Sequence, residues 1–288
     1  MIRSSPVERL AAGTVAIVGV PWDTHSSFRR GAAAGPPRIR GALASESSNL
    51  WTENGLDLGT DPRMADAGDI EVAREDGAIE DIERGLGAIL GTGAHALVLG
   101  GDHAITYPVL RAHSRVRPRL TVLHIDAHPD LYDEFEGDRL SHACPFARVM
   151  EEGLVMHLLQ IGIRTMNDHQ REQARRFGVQ VVEMKDWHVG STPSIEGDVY
   201  LSLDLDALDP AFAPGVSHHE PGGFSPRDLI GLIQRFGGRL VGADVVELNP
   251  SRDPLGITAM AAAKLVKELA GRMLADQPST GHPRRDMT

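Results

Sequence analysis

The sequence predicts an α/β fold: a mainly parallel sheet covered by helices on both faces. Three observations predict it. Apolar runs of strand length recur with near-continuous hydrophobicity, as expected of strands buried on both sides. Helix-like segments lie between them, which makes parallel pairing through crossovers the economical topology. The 288 residues contain no internal repeat and no interdomain linker, so residues 1–275 read as one domain.

In chain order, the first strand is expected at 14–20 ("TVAIVGV") and the first helix at 36–45. A helix over 78–92 leads into a strand at 95–100 ("HALVLG"), and a helix over 106–115 into a strand at 119–125 ("RLTVLHI"). Strands follow at 157–163, 179–184, 198–205 and 240–246, with helices at 168–177 and 226–236 and a closing helix at 256–275. Ser225 is placed to cap the helix that Pro226 opens, because proline lacks the N–H that a first-turn residue leaves unpaired. Residues 276–288 ("DQPSTGHPRRDMT") lack apolar periodicity and read as a mobile C-terminal tail.

The composition narrows the partners. A formal charge of −11, from 40 acidic and 29 basic residues, disfavours nucleic acid and anionic membrane and favours small cations. Cys144 is the only cysteine, so no intrachain disulfide can form; it reads as a packing residue in a reducing compartment. The N-terminal stretch resembles a surface lead-in to a strand more than a signal peptide, and no run reaches membrane-spanning length. A cytoplasmic protein is expected.

Chemistry collects just after the strand-like runs, where an open parallel sheet binds its ligands. "LVLGGDH" ends in His103, after a glycine pair suited to a sharp turn. "TVLHIDAHPD" delivers Asp126, His128 and Asp130 at alternate positions, so an extended backbone sends all three to one side. "VYLSLDLDALDP" delivers Asp204, Asp206 and Asp209, and "GADVVELNP" contributes Asp244 and Glu247. Each buried carboxylate costs several kcal/mol to desolvate, so this many at one sheet end require counter-ions. Arg164 is placed to neutralise one, but no basic cluster accompanies the rest. His103, Asp126, His128, Asp130, Asp204 and Asp206 could instead hold two divalent ions with a carboxylate bridging them. Mixed imidazole and carboxylate ligation suits manganese, iron, cobalt, nickel or zinc better than calcium. Singly, each motif has a plainer explanation as a loop histidine, a turn or a solvated helix start; together they do not.

"GGDHAIT" (100–106), "HIDAHPDLYD" (124–133) and "SLDLDALDPAFAPG" (202–215) resemble, in order, the three signatures of the ureohydrolases, the arginases, agmatinases and their relatives. The resemblance runs from "VGVPWDTHSSFRRGAAAGPPRIR" to "VELNP" and the final helix. It implies a three-layer α/β/α sandwich, two Mn²⁺ per chain on the six residues named above, and hydrolysis of a guanidino group to urea and an amine. It further implies that His142, in "LSHACPF", transfers a proton, that Asp130 accepts one from the attacking oxygen, and that Glu247 receives the guanidinium. A trimer or hexamer is the implied homo-oligomer.

Departures bear on substrate. "GVSHHEPGG" (215–223) replaces a Thr-Gly-Thr element common in the family and places His218 or His219 near the entrance. Thr165 and Asn167 stand where arginases carry acidic residues for the substrate's α-amino group. The loop holding Asp133, Glu134 and Glu136 would repel a carboxylate and attract an ammonium. Agmatine, yielding putrescine and urea, is therefore the expected substrate. The alternatives are arginine or another guanidino or formimino compound, and, outside enzymes, an inactive metal-binding paralogue.

Overall fold

A computed structural model describes residues 1–73, 77–188 and 190–277. Its eight strands form one parallel sheet in the order β2-β1-β3-β8-β7-β4-β5-β6. They are β1 (Val15–Val20), β2 (Met64–Asp69), β3 (His95–Gly100), β4 (Thr121–Ile125), β5 (His157–Ile163), β6 (Gln180–Glu183), β7 (Asp198–Asp204) and β8 (Arg239–Val246). The helices are α1 (Gly35–Leu43), α2 (Ala78–Gly91), α3 (Thr106–Val116), α4 (Pro145–Glu151), α5 (Asp168–Phe177), α6 (Pro226–Arg235) and α7 (Ile257–Ala275).

The three-layer α/β/α arrangement follows from strand patterning. Along β1, β3 and β4 every residue is buried, so both sheet faces need cover. One core joins Val15, Leu97, Leu123 and Leu201 to α1, α6 and α7; the other joins Val18, Val98, Val122 and Tyr200 to α2, α3 and α4. Burying each large apolar side chain contributes about 1.5–3 kcal/mol. Ser225 and Asp228 form a reciprocal capping box at α6, with Pro226 inside the first turn.

Two elements were not expected. β2 ("MADAGD") is an edge strand, polar towards its exposed end, and Arg40 reaches across to Asp66 and Asp69. α4 is only seven residues long, below the length at which helical periodicity shows. The proposed tail lies outside the described residues except for Asp276 and Gln277.

The order of strands decides where the site lies. β3, β8, β7 and β4 are the four central strands, and they are the ones followed by His103, Glu247, Asp204 with Asp206, and Asp126 with its neighbours. Gly100 and Gly101 serve this end differently from expectation, since neither has the left-handed φ of a turn glycine. A Cβ at Gly101 would lie 1.8 Å from the Trp22 carbonyl oxygen, so close approach of two backbones requires the missing side chain.

Candidate metal centre and active site

The six residues picked out as ligands converge at the carboxyl ends of β3, β4 and β7. His103 Nδ1 lies 3.1 Å from Asp126 Oδ2, 3.0 Å from Asp130 Oδ2 and 3.2 Å from Asp204 Oδ2. His128 Nδ1 lies 3.0 Å from Asp206 Oδ2 and 3.4 Å from Asp126 Oδ1. Asp126 thus turns one oxygen to each histidine, the geometry of a bridging carboxylate. Asp130 is held with φ 48°, a left-handed conformation rare outside glycine, as is Glu247 at φ 68°.

Hydrogen bonding around His103 tests whether cations fit. Ser202 Oγ donates to Asp244 Oδ1 at 2.7 Å, so at 2.9 Å it accepts from His103 Nε2–H. Tyr200 and Thr106 also donate to Asp244. Neutral His103 therefore directs an Nδ1 lone pair, with no hydrogen-bond partner, at three carboxylate oxygens. That contact is repulsive without a positive charge between the groups. Mixed nitrogen and oxygen donors suit a divalent first-row metal, so the residues fit the group.

The same proximity shifts the basicity of the clustered groups. Burial lowers the basicity of His103, but the Asp126, Asp130 and Asp204 carboxylates facing Nδ1 outweigh it and would hold the imidazole well above its usual range. Burial likewise opposes protonation of His128, and Asp206 with Asp126 reverses the effect. Asp204 is pushed well above the carboxylate range by burial and by its acidic neighbours, and Asp206 is pushed up to about 6.

His124 belongs to this centre but does not ligate. Gln160 Nε2 donates to the Pro129 carbonyl at 2.6 Å, which fixes the amide, and also faces His124 Nδ1 at 3.0 Å. Nδ1 is therefore an acceptor, and Nε2–H donates to Asp126 Oδ2 at 2.8 Å. His124 lies near enough to join His103, Asp126 and Asp130 as a possible ligand, but both its nitrogens are already engaged. Asp204, outside that grouping, faces His103 directly and is the better candidate.

Beside the cluster, His142 Nδ1 pairs with Glu247 Oε1 at 2.8 Å and its Nε2 lies 2.8 Å from Ser27 Oγ. Burial would lower the His142 pKa, but Glu247 raises it to about 9. Glu247 Oε1 also accepts the His103 backbone N–H at 3.0 Å. These groups, with His128, Asp130, Asp204 and Asp206 of the cluster, border a cavity of about 200 Å³ that also reaches Tyr132, Thr165, Gln170 and His218. A larger cleft of about 770 Å³ opens at the opposite sheet end, around Arg117, His157 and Asp198, but it lacks such a cluster.

Other expectations resolve individually. His218 lines the cavity, its ring 5.2 Å from that of His142, whereas His219 is turned to the Pro214 carbonyl. Arg164 binds the backbone carbonyls of Glu220 and Asp206, not a carboxylate. Asp133 is paired with Arg139 and Arg148, Glu134 and Glu136 are exposed, and none of the three lines the cavity. Ser27, His124 and Gln160 were not anticipated. Ser202 was readable, since it precedes Asp204 and Asp206 in the same alternating series.

The match to the Arginase family model spans residues 13–271, enclosing every residue of this centre. The chain belongs to the arginase family. Among its relatives, mitochondrial arginase 1 of Arabidopsis thaliana is 46% identical over 282 residues, covering 91% of this chain and 82% of that protein. The mitochondrial guanidino acid hydrolase of Homo sapiens is 36% identical, covering 92% and 80%. The structure of arginase from Medicago truncatula superimposes with a TM-score of 0.85 at 43% identity, covering 92% of this chain and 88% of that one. These arginase-family relatives correct the expectation of a cytoplasmic protein, because both curated proteins are named as mitochondrial. Among the described residues, no helix is long and apolar enough to cross a membrane.

Proposed function

We propose that this arginase-family protein hydrolyses the guanidino group of arginine to urea and ornithine, using two manganese ions per chain. The observation that carries the proposal is the His103 lone pair aimed at three carboxylates beside the His142–Glu247 pair. His103, Asp126, Asp130 and Asp204 would hold one ion, and Asp126, His128 and Asp206 the other. Two bound divalent ions supply the Lewis acidity that makes water nucleophilic at neutral pH.

The chain's own residues account for the remaining steps. Glu247 Oε1 already carries two hydrogen bonds, so Oε2 is the oxygen left to orient a guanidinium through a charge-assisted bond. Asp130, on the cavity wall, is placed to take a proton from the attacking water. His142, protonated at neutral pH, is placed to deliver one to the departing amine. Convergence of all six ligand candidates weighs against an inactive paralogue.

Arginine takes precedence over agmatine for two reasons. The relatives include an arginase and a guanidino acid hydrolase, and the acidic loop that favoured agmatine does not border the cavity. Urea release from manganese-loaded protein with arginine, agmatine and guanidinobutyrate tests the proposal. Urea from arginine at the highest kcat/KM is expected; a preference for agmatine would reject the substrate assignment.

A further inference from the structure

Glu247 and Ser27 engage both nitrogens of the His142 ring. Glu247 Oε1, a carboxylate oxygen that can only accept, takes the Nδ1 proton at 2.8 Å, and Nε2 lies 2.8 Å from Ser27 Oγ. With Glu247 holding the imidazole protonated, Nε2 also carries a proton and donates it to Oγ. Neither N–H of His142 is then left to meet a departing amine directly. The Ser27 hydroxyl has that freedom, since Ser27 borders the cavity and its Oγ makes no other hydrogen bond among the described residues.

The segment that carries Ser27 is fixed on both sides of it. Ser26 Oγ donates to Asp102 Oδ2 at 2.9 Å, and the His25 carbonyl accepts the His142 backbone N–H at 3.2 Å. Beyond Ser27, the Arg29 carbonyl accepts from Ser217 Oγ at 2.7 Å and the Arg30 carbonyl from Asn249 Nδ2 at 3.2 Å. Asp102 and Asn249 follow β3 and β8, the strands that also deliver His103 and Glu247. The fold therefore sets the hydroxyl beside His142 before any substrate arrives, and removing the hydroxyl leaves these four anchors in place.

We infer that Ser27 is a catalytic residue of the same reaction, relaying a proton from His142 to the departing amine through its hydroxyl. As the C–N bond breaks, its electron pair stays on the amine nitrogen and takes the Oγ proton, while the Nε2 proton of His142 crosses to Oγ. Ser27 is again a hydroxyl, now donating to a neutral Nε2, and the net change is one proton moved from His142 to the amine. A hydroxyl suits this task because it can accept from one neighbour and donate to another at the same time. The inference rests on reading the centre as a guanidino hydrolase, and it adds a residue of the N-terminal segment to the machinery.

Kinetics of the manganese-loaded protein with arginine test the relay. Ser27→Ala should retain its metal by elemental analysis and bind ornithine with unchanged affinity by calorimetry. Its kcat and its single-turnover rate should fall about 10²-fold, the low end of the general acid–base range, with KM little altered. Ser27→Thr keeps a hydroxyl and should recover at least about tenfold of that loss. In mixtures of light and heavy water, a relay moves two protons together, so the rate of the unmodified protein should curve with deuterium content, whereas that of Ser27→Ala should follow a straight line. Should Ser27→Ala fail to fold or lose metal, Ser27→Val makes the same comparison against the isosteric Ser27→Thr. An alanine variant within about twofold of the unmodified rate, or one slowed with the same curvature, would overturn the relay, leave Ser27 only to hold the ring, and let the hydrolase reading stand. No urea from arginine, agmatine or guanidinobutyrate with the unmodified protein would overturn the hydrolase reading and the relay with it.

Discussion

His142 meets Ser27 from the N-terminal segment on one side and Glu247 from the end of β8 on the other, separations of 115 and 105 residues in sequence. Such contacts leave no local spacing to detect, which is why Ser27 went unrecognised while Asp126, His128 and Asp130 were legible from alternation alone. The same holds for His124 and Gln160, whose pairing depends on β4 lying beside β5. Because His142 touches no ligand candidate through its ring nitrogens, its loss should be separable from loss of metal. His142→Asn should lower kcat by about 10²–10⁴-fold, the usual range for general acid–base catalysis, with metal content retained by elemental analysis. An emptied site in that variant would move His142 into the coordination shell.

At the scale of elements, the buried strands and longer helices were readable because burial on both faces leaves an apolar signal, whereas edge strand β2 needs little apolar character. Helix α3 carries a group whose behaviour no pattern reveals. His113, on its buried face, packs edge-on against Tyr200 of β7, and neither ring nitrogen has a hydrogen-bond partner. Burial, with nearby Arg117 and His95, pushes its pKa down to about 3. The folded value lies below the unfolded value of 6.5, so between these limits the unfolded chain takes up a proton that the folded protein refuses. The stabilisation is complete above pH 6.5 and is lost as pH falls towards 3, by up to a few kcal/mol in order of magnitude. His113→Leu removes the titration without sacrificing a hydrogen bond. Denaturant unfolding across that window should show a flatter decline for the variant; parallel curves would locate the acid sensitivity elsewhere.

Most of the buried carboxylates among the described residues lie where four adjacent parallel strands end. Several carboxylates face two imidazoles there, and the chain's formal charge of −11 adds no compensating field. The fold is thus held against local repulsion that protons or metal ions must relieve, which couples occupancy to stability. Ligands that bind only the folded state stabilise it by RT ln(1 + [L]/Kd), about 2.7 kcal/mol per site at a hundredfold excess over Kd. A protein of this size gains roughly 2–4 °C in Tm per kcal/mol. Chelation at neutral pH should therefore lower Tm by several degrees, and two equivalents of manganese per chain should restore it. Asp126→Asn weakens the shared carboxylate, so that variant should respond less to both treatments. Calorimetric scans paired with elemental analysis distinguish the outcomes: a fully active protein carrying less than one ion per chain, with a chelator-insensitive Tm, would remove the metal centre from the account and leave the carboxylate cluster stabilised by protons alone.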